Sequence, residues 1–137
     1  MNFVLDATVA LSWCFEDEQS EPALTVLDSL RESEAVVAHH WTLEMANGLL
    51  SAERRGRIDG DGATRFSRLL LALPIAVDPV ARGTALKETR RLARTHRLTS
   101  YDAAYLELAI RLGVPLATLD DRLRAAAKQE GVALLLE

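Results

Sequence analysis

Met1-Asn2-Phe3-Val4-Leu5-Asp6 opens the chain with a short apolar run that ends on an acid. The run has the length and composition of a buried strand, and we read it as the first, central strand of a sheet. Working outward, Ser20 to Glu34 places Ala23, Leu24, Leu27 and Leu30 three and four residues apart among acids, the pattern of an amphipathic helix. Ala35-Val36-Val37-Ala38 is a second strand. Thr42 is the expected N-cap of a helix that carries Leu43, Ala46, Leu49 and Leu50 and ends at Gly56. A further helix is expected from about Gly62 to Leu73, stopped by Pro74, with Ile75-Ala76-Val77 as the next strand. From Pro79 the pattern is helical again, with Leu92, Ala93 and His96 on one side and Arg90, Arg91 and Arg94 elsewhere around it. Ser100 is the expected cap of a helix from Tyr101 to Leu112 that Gly113 closes. Residues 114–118 then read as a strand, 120–129 as a helix, and 132–136 as a last apolar strand. Alternation of this kind builds a mostly parallel sheet covered on both faces, so the fold class is α/β, a three-layer α/β/α sandwich.

Composition fits one domain spanning 1–137, because 49% hydrophobic residues can bury a core without disulfides. Cys14 is the single cysteine and has no partner to pair with. The first basic residue is Arg31 and no apolar stretch reaches membrane-helix length, so neither a signal peptide nor a membrane span is expected. A cytoplasmic location follows as the default. The net charge of −4 argues against binding nucleic acid through long-range attraction alone. Charge is nevertheless segregated: ten acids and one base lie in residues 1–53, and six bases with one acid in 82–97.

Four acids then stand out by position. Asp6 ends a strand, Glu44 and Asp102 fall in first turns of helices, and Asp120 follows a strand. Each alone has a structural explanation, since helix N-termini favour carboxylates. All four, however, map to one edge of a parallel sheet, the edge at which open α/β folds bind ligands. Acids gathered there repel one another unless they take up protons or a cation neutralises them. Oxygen ligands without a suitably spaced His or Cys favour Mg²⁺ or Mn²⁺ over zinc or copper. Thr8, two residues beyond Asp6, would point to the same side if the strand continued, and Thr118 holds the analogous place before Asp120. Asn47, one turn beyond Glu44, could help orient it. His39 and His40 are adjacent and so do not face one ion; Trp13 and Trp41 read as core or interface aromatics.

The segments Val4-Leu5-Asp6-Ala7-Thr8, Trp41-Thr42-Leu43-Glu44-Met45-Ala46-Asn47-Gly48-Leu49, Ser100-Tyr101-Asp102-Ala103-Ala104-Tyr105 and Leu116-Ala117-Thr118-Leu119-Asp120-Asp121-Arg122-Leu123 together resemble the PIN-domain ribonucleases, most of all the VapC-type toxins of toxin–antitoxin pairs. Relatives often carry a proline before the Glu-bearing helix, where this chain has His39-His40. The resemblance implies a Mg²⁺-dependent endoribonuclease with Asp6, Glu44, Asp102 and Asp120 as its acidic quartet and Asp121 as an outer member. It implies products with a 5′-phosphate and a 3′-hydroxyl, a homodimer, and a cognate antitoxin that blocks the site. Arg54, Arg55, Arg57, Arg90, Arg94 and Arg97 are candidate contacts for the RNA backbone, with solvated arginines as the plainer reading. Two alternatives stay open: a non-catalytic RNA- or protein-binding module on the same fold, and a haloacid-dehalogenase-like phosphatase. Against the latter, Thr8 stands where such a phosphatase carries a second Asp.

Overall fold

The protein is described here by a computed structural model covering residues 2–136. Its sheet has four parallel strands, β1 (Phe3–Leu5), β2 (Ala35–Val37), β3 (Ile75–Val77) and β4 (Leu116–Ala117), in the order β3-β2-β1-β4. Phe3, Val4 and Leu5 are buried although successive strand residues point to opposite faces, so both faces of β1 are covered. This is why the opening run lacks polar alternation. The expected last strand at 132–136 shrinks to one parallel bridge, Leu134 with Leu116, because β4 itself is only two residues long.

Eight α-helical segments connect and cover the sheet among the described residues: α1 (Ala7–Ser12), α2 (Glu21–Ser29), α3 (Trp41–Arg54), α4 (Gly60–Ala72), α5 (Arg82–Thr84), α6 (Arg90–His96), α7 (Ser100–Leu112) and α8 (Asp121–Gln129). α7 lies on β1 and β4 with α6 and α8 against it, while α3 packs on both α1 and α4. α1 and α3 meet at Gly48, where a β-carbon would stand 2.6 Å from Leu11 Cδ2. A side chain there would overpack the contact.

Several helix starts differ from expectation for identifiable reasons. α3 begins at Trp41 because the His40 carbonyl accepts the Glu44 N–H, which moves Thr42 from the cap into the first turn. Thr99, not Ser100, caps α7 through the Asp102 N–H, and Asp59 caps α4 through the Gly62 N–H. The stretch after Pro79 is a helix interrupted by a π-turn at Ala85–Thr89, which separates α5 from α6. Arg111 of α7 pairs with the buried Glu107 at 2.8 Å and with Asp78 at 2.7 Å, tying α7 to the loop after β3. No helix of the described residues is long and apolar enough to cross a membrane.

Candidate active site

Parallel strands deliver their C-terminal ends to one edge, and the four acids meet there. Asp6 follows β1 directly. Glu44 lies in the first turn of α3 after β2, Asp102 in the first turn of α7, and Asp120 at the N-cap of α8 after β4. Asp6 feels the charges of Glu44 and Asp102, and Asp102 feels those of Asp120 and Glu44. The quartet is thus one electrostatic unit.

Asp6 is the innermost member, 2% exposed. It occupies the N-cap position of α1, yet its carboxylate makes no capping bond. The strand does not continue to Thr8, as the same-side argument required; Thr8 sits on α1 and still reaches the acid. Thr8 Oγ1 donates to Asp6 Oδ2 at 2.8 Å, and Thr118 Oγ1 donates to the same oxygen at 2.6 Å. Each hydroxyl in turn accepts a backbone N–H of the β4–α8 loop, from Leu119 and Asp120 respectively. Two threonines therefore clamp one carboxylate oxygen, while no hydrogen bond among the described residues reaches Oδ1. Burial pushes the Asp6 acid up to about 6; the two hydroxyl bonds oppose the shift, and Glu44 and Asp102 add to it. Thr118 is fully buried, so Thr118→Val keeps the volume but leaves the Asp120 N–H without its partner. We expect a loss of about 1–3 kcal/mol in urea denaturation, with the Asp6 acid pushed higher still.

Glu44 has the opposite environment. Burial would raise its acid, but contacts from His40 and Tyr105 outweigh that and hold it below the ordinary range. The Tyr105 hydroxyl donates to Glu44 Oε1, and His40 Nε2 lies 3.1 Å from the same oxygen. The His40 contact is a close approach that does not have the geometry of an aligned hydrogen bond. Burial raises the Asp102 acid, and Asp120 and Glu44 raise it further. Asp120 spends one oxygen capping α8 through the Leu123 N–H. Pattern reading does not single out Tyr105 and it sets His40 aside with His39. The available signal was spacing, since Tyr105 lies one turn beyond Asp102 and His40 one turn before Glu44.

The auxiliary candidates divide. Thr8 and Thr118 belong to the site, Asn47 is exposed on α3, and Asp121 is an exposed first-turn residue of α8 that exerts no charge effect on Asp102. Of the arginines, Arg57 is engaged by Asp17 and Glu18 and lies 4.1 Å from the centre of the Phe15 ring. Arg54 and Arg55 close α3 roughly 15 Å along its axis from Glu44. Arg97 is set apart from Arg90 and Arg94, because it leaves α6 in a left-handed conformation at φ 56°.

No three His, Cys, Asp or Glu groups among the described residues stand together as a ready chelate. The donor set nonetheless fits a hard divalent cation. It is all oxygen, it includes a buried carboxylate with one unbonded oxygen, and Mg²⁺ takes only one or two protein carboxylates while keeping several waters.

Residues 3–129 match the PIN domain family. The chain is 32% identical over 123 residues to Ribonuclease VapC3 of Pyrobaculum aerophilum, covering 90% of this chain and 92% of that protein. Its fold is similar to the crystal structure of PAE2754 from Pyrobaculum aerophilum, with a TM-score of 0.72 and 25% identity over 98% of this chain and 84% of that one. It is also similar to a chain of VapBC2 from Rickettsia felis bound to a DNA fragment from their promoter, with a TM-score of 0.68 and 11% identity over 98% and 97% of the two chains. Matching the family along almost its whole length, the chain belongs to the PIN-domain family, in its VapC-type ribonuclease branch.

Proposed function

We propose that the chain is a Mg²⁺-dependent endoribonuclease and the toxin of a toxin–antitoxin pair, acting through Asp6, Glu44, Asp102 and Asp120. The observation that carries this reading is the buried, clamped Asp6 inside a set of mutually repelling acids, an arrangement that a cation would relieve. A bound divalent cation, Mg²⁺ or Mn²⁺, would acidify water and offset charge on the phosphodiester under attack.

The chain's own residues supply the rest. Asp6 and Asp102 would hold the cation directly, and Thr8 and Thr118 fix the plane of the Asp6 carboxylate by holding Oδ2. Tyr105 and His40 keep Glu44 ionised and aimed, so it accepts a proton or a water hydrogen instead of drifting into solvent. Asp120 contributes its remaining oxygen, directly or through water. Arg94 and Arg97, near the entry to α7, are offered as contacts for the RNA backbone, and the acidic net charge then ceases to be an objection.

A protein partner is proposed on likeness to the VapBC2 assembly; a homodimer and a cytoplasmic setting are proposed on the family resemblance alone. The test is direct. Partner-free protein is expected to cut single-stranded RNA internally in Mg²⁺, to stop on chelation with EDTA, and to recover when Mg²⁺ or Mn²⁺ is restored but not in buffer without divalent metal. Equal cleavage with and without chelator would sink the metal assignment.

A further inference from the structure

Beside the quartet, the turn between β2 and α3, the start of α7 and the π-turn enclose a cleft of about 140 Å³. It shares His40 with the Glu44 contact, and Tyr101 on its rim is the chain neighbour of Asp102. We propose that this cleft is a nucleobase subsite that seats one base flanking the cleaved phosphodiester, with Tyr101 as its stacking platform. The inference rests on the ribonuclease reading and goes beyond it by naming where the RNA strand is gripped.

Four features of the cleft point to a planar aromatic occupant. The first is an aromatic rim on a chain with few aromatics. The His40 ring lies 5.3 Å from that of His39 and 5.6 Å from that of Tyr101, and Tyr105, outside the lining, backs it at 5.1 Å. Tyr105 and His40 are buried and form the fixed end of this array, whereas Tyr101 is 65% exposed and His39 is exposed at the mouth. A tyrosine left in water beside a catalytic carboxylate has an uncovered ring face, and every base has a π-face to cover it.

The second feature is the wall. Val80 and Ala104 make it apolar, and Glu107 places a buried acid on it. Arg111 holds that acid and Asp78 together, which fixes the wall's position and offsets one of its two negative charges. The third is size, since the space holds one ring system and not a folded element. The fourth is the π-turn at Ala85–Thr89, which lies along the cleft with Ala85 and Thr89 in its lining; such turns are frequent at functional sites. His40 also serves Glu44, whereas Tyr101, Val80 and the π-turn make no hydrogen bond to the quartet among the described residues. Base contacts of this kind also suit single-stranded RNA, whose bases can be splayed out and stacked on aromatic side chains.

The experiment is a cycle between protein and RNA. Binding of a single-stranded RNA octamer is measured by fluorescence anisotropy in Ca²⁺, for the parent, Tyr101→Ala and Tyr101→Phe, and for octamers in which one position at a time is abasic. Tyr101 is exposed, so its removal leaves the core intact, and an unchanged melting temperature verifies this. Tyr101→Ala is expected to weaken binding about tenfold and Tyr101→Phe less than twofold. One abasic position should cost the parent a similar factor and cost Tyr101→Ala nothing more. If the two losses multiply, or if Tyr101→Ala binds every octamer as the parent does, the subsite is wrong. Retained RNA binding by Tyr101→Ala together with lost affinity for a protein partner would likewise overturn it, in favour of a protein contact. Mg²⁺-dependent cleavage by the parent is scored separately, so failure of the nuclease reading is distinguishable from failure of the subsite.

Discussion

Asp6→Asn is expected to lower RNA cleavage in Mg²⁺ by about 10³-fold, the equivalent of ~4 kcal/mol of lost transition-state stabilisation. The amide keeps the shape of the side chain and can still accept from Thr8 and Thr118, so the loss is one of charge and ligation and not of fold. Initial rates on a labelled RNA, with protein free of any partner, measure it; a variant as fast as the parent would remove Asp6 from the mechanism. The same substitution carries a stability prediction of opposite sign. The folded chain holds the Asp6 proton up to about pH 6, whereas the unfolded chain releases it near the ordinary value of 3.8. Between those values the folded state binds more protons, so metal-free stability falls as pH rises through the window and stays lower above it. That difference corresponds to roughly 3 kcal/mol. Asp6→Asn has no proton to lose. In EDTA it should therefore match or exceed the parent's stability above pH 6, and the two proteins should converge near pH 4. Urea denaturation from pH 4 to 8 checks this, and Mg²⁺ should restore the parent's stability above pH 6 while leaving the variant unmoved.

Tyr105 is the second position with a large expected effect, because it belongs to the core and the site at once. It is fully buried, and its hydroxyl donates to Glu44. Burial pushes the phenol far above its ordinary range, and the bond to Glu44 and the charges of Glu44 and Asp6 add to this, so it acts as a donor throughout the working pH range. Tyr105→Ala should cost about 3–5 kcal/mol, from lost apolar burial and the hole left beneath α7. Tyr105→Phe separates the two roles. It retains the packing and should cost only about 1 kcal/mol, but it frees one side of Glu44 and lets that acid rise towards ordinary values. Cleavage should fall about tenfold, with the acidic limb of the pH–rate profile moved upward. Denaturant midpoints and pH–rate profiles of the two variants distinguish positioning from packing; an unmoved profile in Tyr105→Phe would reduce Tyr105 to a core residue.

Much of this architecture is legible in single residues. The unalternating run before Asp6 announces a strand buried on both sides, and the breakers Gly56, Pro74 and Gly113 mark where helices end. Other elements are not. α1 has six residues, no side-chain cap and no room for a periodic pattern, so it passes unseen between Asp6 and Trp13. Thr42 and Ser100 are acceptable caps by type, but the first hydrogen-bonded turn decides which residue serves, and it chooses His40 and Thr99. The segment 132–136 is apolar enough for a strand, yet a strand requires a neighbour to pair with, and β4 offers only one bridge.

The sequence by itself determined the α/β class, the succession of the four sheet strands and the four acids at strand ends and helix starts, because those follow from periodicity and from the shared direction of parallel strands. Only the tertiary structure decided what holds the acids. It clamps Asp6 through threonines 110 residues apart in the chain, and sets Glu44 against Tyr105. It also places Arg57 out of reach in ion pairs with Asp17 and Glu18 and puts Tyr101 at the rim of a cleft. The physical reason is range: local patterns report on neighbours along the chain, whereas burial, hydrogen-bond partners and shifted acids arise from groups that meet only after the sheet has closed.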